Sequence, residues 1–318
     1  MDTLSSHRDI PRRDFLGLLA AGGLAFMPRV AGCTAQRTNA MVTVHLFSKH
    51  IQWLDYNEMA EAVARIGFDG VDLTVRPGGH VLPERVAEDL PRAVEALHAH
   101  GLKADLMTTA ITDPQDETSR TVLRVAADQG IRYYRTGWLR HPDDGSILES
   151  LAHCRQQMGR LARLNEEIGI RGSYQNHAGN YVGASIWELR DLLEDIDPAW
   201  LGCQYDIRHA TVEGGLSWPQ GLRLIHPYIN TLVLKDVRWG EVDGRWGLVD
   251  TPMEEGMVDF PRYLGLLKQY GIQAPVSLHL EYPLGGAEHG GTPTIPSEEV
   301  FRAMAQDLTA VRRLWSAA

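Results

Sequence analysis

Two hydrophobic periods alternate along most of this chain. Short runs with apolar residues at every second position read as strands, and longer runs with apolar residues every three or four positions read as amphipathic helices. From Met41 onward, a strand over 42–47 is followed by a helix over 56–66, and a strand over 70–75 by a helix over 83–100. The rhythm continues with strands expected over 103–107, 132–135, 171–175, 201–206, 230–235 and 275–281. The intervening helices are expected before Gly130 and over 147–168, 184–194, 218–225, 260–270 and 297–316. Gly67, Gly101, Gly130, Gly169 and Gly271 each follow a helix, where a residue without Cβ closes the last turn in the left-handed region. Eight βα units in succession predict a closed (β/α)8 barrel, the TIM barrel, as a single domain over residues 41–318. An open doubly wound sheet is the alternative. Against it, and against a nucleotide cofactor, Ser48-Lys49-His50 stands after the first strand in place of a Gly-rich phosphate turn.

The first forty residues follow a different pattern and are set apart from the fold. Arg12-Arg13 precedes an apolar stretch from Phe15 to Met27, too short to span a bilayer, in the manner of a twin-arginine export signal. Val30-Ala31-Gly32-Cys33 then reads as the acylation site of a lipoprotein, with ordinary cleavage between Ala31 and Ala35 as the alternative. An exported, periplasmic or envelope location is expected, with the membrane reached only through a lipid anchor at Cys33. Cys154 and Cys203 are then left as buried thiols without a disulfide framework. The formal net charge of −10 offers nothing to a nucleic-acid backbone.

In a barrel of this kind, chemistry sits at the C-terminal strand ends and in the loops beyond them. Those positions hold Arg76 and His80 after strand two, Arg135 and Trp138 after strand four, and Gln175 and His177 at strand five. Strand six delivers Asp206 and, three residues on, His209; strand seven delivers Lys235 and Asp236, with Trp239 beyond; strand eight delivers His279 and Glu281. Because side chains alternate along a strand, Gln175 shares a face with His177, Val233 with Lys235, and His279 with Glu281. Each of these faces is taken as the inward one. Bland readings stand beside the functional ones. Asp206 caps the next helix, Lys235 pairs with Asp236 at the rim, and Arg76 and His80 fix a loop. Arg135 pairs with Asp72 or Asp105, and the two tryptophans pack the rim.

Phe47-Ser48-Lys49-His50, Gly67-Phe68-Asp69-Gly70-Val71-Asp72-Leu73, Asn176-His177-Ala178-Gly179, Asp206-Ile207-Arg208-His209-Ala210 and Leu234-Lys235-Asp236 together resemble the xylose isomerase-like barrel superfamily, the sugar phosphate isomerase/epimerase group. The likeness runs from Met41 to the C-terminus and implies proton transfer next to a carbonyl, assisted by one divalent metal held by Glu, Asp, His and Glu. By position those ligands fall on Gln175, Asp206, Val233 and His279, of which only Asp206 keeps its character. His209 matches an imidazole that contacts substrate.

Two arrangements are therefore open. Asp206, His279 and Glu281 build a shifted site for Zn, Mn, Mg or Fe, or the pocket works without metal through Lys235, His177 and Glu281. Either way, the resemblance implies a small-molecule sugar or glycoside as substrate and a sugar isomerase or epimerase as the enzyme. Glu281 or His177 would be the base, and Arg76, His80, Arg135, Trp138, Gln175, His209 and Trp239 would contact the sugar. A lyase or hydrolase acting on 3-keto-glycosides shares the first step. A non-catalytic sugar-binding lipoprotein is the rival from another class.

Overall fold

The computed structural model describes residues 42–318, and there the expected barrel closes. In chain order the strands are β1 (Val44–Phe47), β2 (Gly70–Thr74), β3 (Lys103–Thr108), β4 (Tyr133–Arg135), β5 (Arg171–Gln175), β6 (Leu201–Asp206) and β7 (Ile229–Leu234). Then come β8 (Asp236–Val242) and β9 (Arg245–Thr251), which pair only with each other, and β10 (Val276–Leu278). Strands β1 to β7 and β10 form the parallel ring, and β10 closes it against β1. The helices are α1 (Tyr56–Ile66), α2 (Val86–Ala99), α3 (Glu117–Asp128), α4 (Ile147–Ile168), α5 (Ile186–Leu192), α6 (Ile207–Gly214), α7 (Trp218–Ile225), α8 (Phe260–Gln269) and α9 (Ser297–Ala317). The twin-arginine pair and Cys33 lie outside the described residues; Cys154 and Cys203 are buried free thiols.

Strand alternation sorts the side chains into two layers. Leu46, Leu73, Met107, Tyr134, Tyr174, Tyr205, Leu232 and Leu278 belong to the apolar core between strands and helices. The residues between them, Asp72, Thr108, Arg135, Gln175, Asp206 and Ser277, are equally buried but polar. Burying such groups costs several kcal/mol each unless they are hydrogen-bonded, and here they bond to one another. Thr108 and Ser277 donate to Asp72, and Gln175 donates to Asp206. The barrel interior is thus a polar network at its upper end, enclosed by an apolar sleeve.

Local chemistry sets the element boundaries. Asp55 and Glu58 form a reciprocal capping box at the start of α1, and Gly67 ends that helix at φ +101°. At the barrel floor, Gly70 leaves room for His45, whose ring a Cβ there would meet at 2.6 Å. His45 Nε2 in turn lies 2.6 Å from Asp105, so Asp105 is not the partner of Arg135.

Two elements were not expected. A helix, α6, follows β6 directly, and the Asp206 carboxylate caps it, as the bland reading of this residue holds, by accepting from the His209 backbone N–H at 3.2 Å. The β8–β9 hairpin fills the stretch between β7 and α8. Its two-residue turn is Asp243-Gly244, at φ +49° and +72°, the geometry in which a Gly is favoured and an Asp tolerated. Arg208 fastens the hairpin by donating from Nε and Nη2 to Asp250, at 3.0 and 2.8 Å.

Candidate active site

A cavity of ≈ 170 Å³ opens among the C-terminal strand ends. Its wall is Phe47, Lys49, Arg76, Arg135, Trp138, Gln175, His177, Lys235, His279 and Glu281. Eight of these are residues whose type and strand-end position single them out in the sequence. Phe47 and Lys49 are the two that sequence reasoning missed. Phe47 stacks on the His279 ring at 4.1 Å, and Lys49 Nζ lies 2.7 Å from Glu281 Oε2. Both stand in the Phe47-Ser48-Lys49-His50 stretch that carries part of the family likeness, and that was the available signal.

Glu281 is the carboxylate that faces the cavity, with its side chain 23% exposed. Lys49 holds one oxygen; Lys235 Nζ stands 3.9 Å and His279 Nδ1 3.6 Å from the other. Burial alone would raise its pKa. The nearby His279 ring and the Lys235 and Lys49 charges outweigh that and hold the group well below the usual carboxylate range, so it is ionised. Burial in turn lowers the Lys49 ammonium, with Glu281 opposing.

Behind Lys235 lies a second layer. Its Nζ is 3.3 Å from Asp206 Oδ2, a fully buried carboxylate that also accepts from Gln175 Nε2 at 2.7 Å. His209 does not reach the cavity wall. Its Nε2 sits 3.1 Å from Lys235 Nζ and its Nδ1 3.1 Å from Arg208 Nη1. Burial first, then the facing Lys235 charge, His177 and Arg208 keep this imidazole far below its usual range and neutral. The rim pair expected as the bland reading of Lys235 is absent. Asp236 accepts instead from four backbone N–H groups, of Val237, Glu254, Gly256 and Val258, and so organises the loop after β9.

His177 stands on the opposite wall. Its Nδ1 lies 2.9 Å from the Ala178 carbonyl, to which it donates, which leaves Nε2 with the lone pair. The ring lies against His209 at 3.9 Å and Trp138 at 4.7 Å. Burial and the Lys235 charge push it down to about 4, so it is neutral near pH 7 and able to accept a proton. Arg135 is almost fully buried. It donates to Gln175 Oε1 at 3.4 Å and the Thr109 carbonyl at 3.1 Å, and its guanidinium lies 4.0 Å over Trp138. Asp72 is not its hydrogen-bond partner; Thr108 and Ser277 occupy that carboxylate, and burial raises its pKa.

Two sequence candidates lie elsewhere. The His80 Nε2 contacts the Leu54 carbonyl at 2.9 Å and its ring packs against Tyr56, beside a larger cavity of ≈ 590 Å³ outside the strand ends. That cavity, with Asp55, His80, Arg92 and Glu95 in its wall, shares no lining residue with the one at the strand ends. Trp239 is half exposed on β8.

The shifted metal site is not formed. Among the described residues no three His, Cys, Asp or Glu side chains are placed to hold a metal ion. Asp206, His279 and Glu281 are separated by the Lys235 ammonium, which has already taken the place beside both carboxylates. The ligand positions implied by the family likeness fit no better: Gln175 is a neutral amide bonded to Arg135 and Asp206, and Val233 is buried and carries no donor. With Lys235 beside both carboxylates and Lys49 on Glu281, the two negative charges already face two tethered ammonium groups, which repel a further cation.

The model of the family described as xylose isomerase-like TIM barrel matches residues 60–305. No curated protein matches the sequence. Among solved structures, D-psicose 3-epimerase from Clostridium cellulolyticum H10 with D-tagatose superposes with a TM-score of 0.65 at 13% identity, over 86% of this chain and 99% of that one. The 3-keto-D-glucoside 4-epimerase of E. coli gives 0.62 at 12%, over 84% and 99%. The probable 3-DHS dehydratase of Bacillus anthracis gives 0.60 at 15%, over 85% and 99%. At these identities the likeness is one of fold.

Proposed function

We propose that this chain, which belongs to the xylose isomerase-like TIM barrel family, is an enzyme that moves a proton next to the carbonyl of a sugar or oxidised glycoside. The observation that carries the reading is Glu281, an ionised carboxylate at the cavity with an ammonium at each of its oxygens. When such a base takes a proton from carbon, the negative charge passes from the carboxylate to the substrate oxygen. Lys49 and Lys235 lower the basicity of the resting carboxylate, and they serve catalysis as far as their hold shifts to the oxyanion that develops on the substrate. His177, neutral and with Nε2 unpartnered among the described residues, stands just past the end of β5, three places around the ring from β10. A second acid or base on the far wall is what inversion at the carbon requires. The cavity holds about six water volumes at ~30 Å³ each, room for one ring and little more.

The test is deuterium uptake from D2O into ketohexoses and 3-keto-glycosides, followed by NMR. The parent should label the carbon beside the carbonyl, and Glu281→Gln should lose roughly 10²- to 10⁴-fold in rate. Saturable binding of these sugars without any labelling would replace the enzyme with a sugar-binding protein. Release of the group at C1 would assign elimination rather than epimerisation. The sugar epimerases among the structural neighbours support the sugar class. We further propose export through Arg12-Arg13 and attachment at Cys33, on the motifs alone. Cys33→Ser should release the protein from membranes, and a variant that fractionates like the parent would refute the anchor.

A further inference from the structure

Lysines and arginines of this cavity differ in how their charge is answered. Lys49 is paired with Glu281, and Lys235 with Asp206. Arg76 and Arg135 also line the cavity, yet among the described residues neither has a carboxylate within ion-pair distance. Arg76 lies over the Phe47 ring at 5.6 Å and its guanidinium donates to no described protein atom. Arg135 is buried to 3% exposure, and among the described residues its Nε has no partner and its acceptors are a neutral amide and a backbone carbonyl. By contrast Arg208, also buried and one layer away, has a carboxylate to itself in Asp250. An unpaired buried guanidinium is costly, and here two line one cavity while Asp72 and Glu281 act on them only from beyond ion-pair distance.

We propose that Arg76 and Arg135 form a subsite for a fixed oxyanion on the substrate, a carboxylate or phosphate group, so that the preferred substrate is an acidic sugar. The proposal rests on the reading of this cavity as a sugar site and narrows it. The geometry suits the purpose: Trp138 supports the Arg135 plane at 4.0 Å while Gln175 and Thr109 fix its rotation. Burial, and then the neighbouring Arg76 charge, depress Arg135 to about 9, and a bound anion would relieve the second of these strains. Phe47 holds Arg76 from the other side of the cavity mouth.

Calorimetry on the whole purified chain tests this without turnover. The probes are D-glucuronate and D-galacturonate, glucose 6-phosphate, and the neutral sugars D-glucose and D-galactose. At least one acid should bind about tenfold or more tighter than its neutral counterpart, and the tighter of the uronate and phosphate arms names the group. Arg76→Met should lower the affinity for the acid about tenfold more than that for its neutral counterpart, and Arg76→Lys should restore part of the difference. A thermal melt confirms that each variant is folded. Equal binding of acids and neutral sugars, or no binding of any acid at about 10 mM, overturns the subsite. Because binding is read apart from deuterium uptake, loss of the subsite leaves the proton-transfer reading standing, and the reverse.

Discussion

Removing the Lys235 charge while keeping its volume, as in Lys235→Met, should be felt first in stability. Asp206 is fully buried and Lys235 is its nearest ammonium, at 3.3 Å. Deleting one partner of a buried pair costs about 3–5 kcal/mol, because the other charge is left in a poor medium. Asp206 keeps two hydrogen bonds, from Gln175 at 2.7 Å and from the His209 backbone at 3.2 Å, which places the loss near ~3 kcal/mol. For a domain of this size, that lowers the melting midpoint by roughly 6–12 °C. Asp206→Asn in the same background should return a large part of it, since the stranded charge is then gone. The double-mutant cycle should give a coupling of about 2 kcal/mol, measured by thermal or urea unfolding. A Lys235→Met midpoint within about 2 °C of the parent, or strictly additive losses, would show that the ammonium does not neutralise Asp206. The argument against a metal at this place would then fall with it.

The same cation predicts that calorimetric titration of the parent with Mn²⁺ or Zn²⁺ gives no saturable binding at the cavity. Lys235→Ala combined with Gln175→Glu, which frees Asp206 and adds a carboxylate beside it, should bind one ion per chain; stoichiometric uptake by the parent would contradict this. Stability should fall on acidification because His177 is held at about 4 against an ordinary value of 6.5. Between those values the unfolded chain binds more protons than the folded one, so each pH unit lost costs up to roughly 1.4 kcal/mol for this group. His177→Gln should make the acid limb of the stability curve shallower over pH 6.5 to 4, and an unchanged slope would mean that the ring is already protonated in the fold.

Alternation of side chains along a strand decides how much of this site is legible in the sequence. It brings Gln175 with His177, and His279 with Glu281, to one cavity, as read from spacing alone. It also bears on the rim pair, since Lys235 and Asp236 are neighbours in sequence and neighbours on a strand point to opposite sides. Lys235 turns inward to Asp206, and Asp236 turns to the loop it holds. What spacing cannot give is which atoms meet across strands. Asp206 is register partner to Val233, so Lys235 reaches it diagonally from two residues further on, just past the end of β7, a contact fixed by shear rather than by either sequence segment. Lys49 escapes for a related reason: it leaves β1 on a 3-10 turn, where the two-residue rule ends, and finds Glu281 from there. His80 shows the opposite failure. Its loop follows a strand end but folds back over α1, and the bond to Leu54 takes the ring out of the cavity. The hairpin was signalled by Asp243-Gly244 between alternating flanks, a local pattern inside a segment whose neighbours suggest only another βα crossover. The loss of the metal ligands at Gln175 and Val233 is plain in the sequence. That a lysine fills their place becomes visible only when β6, β7 and β10 are set side by side, because the replacement comes from a position that the family's ligand pattern never names.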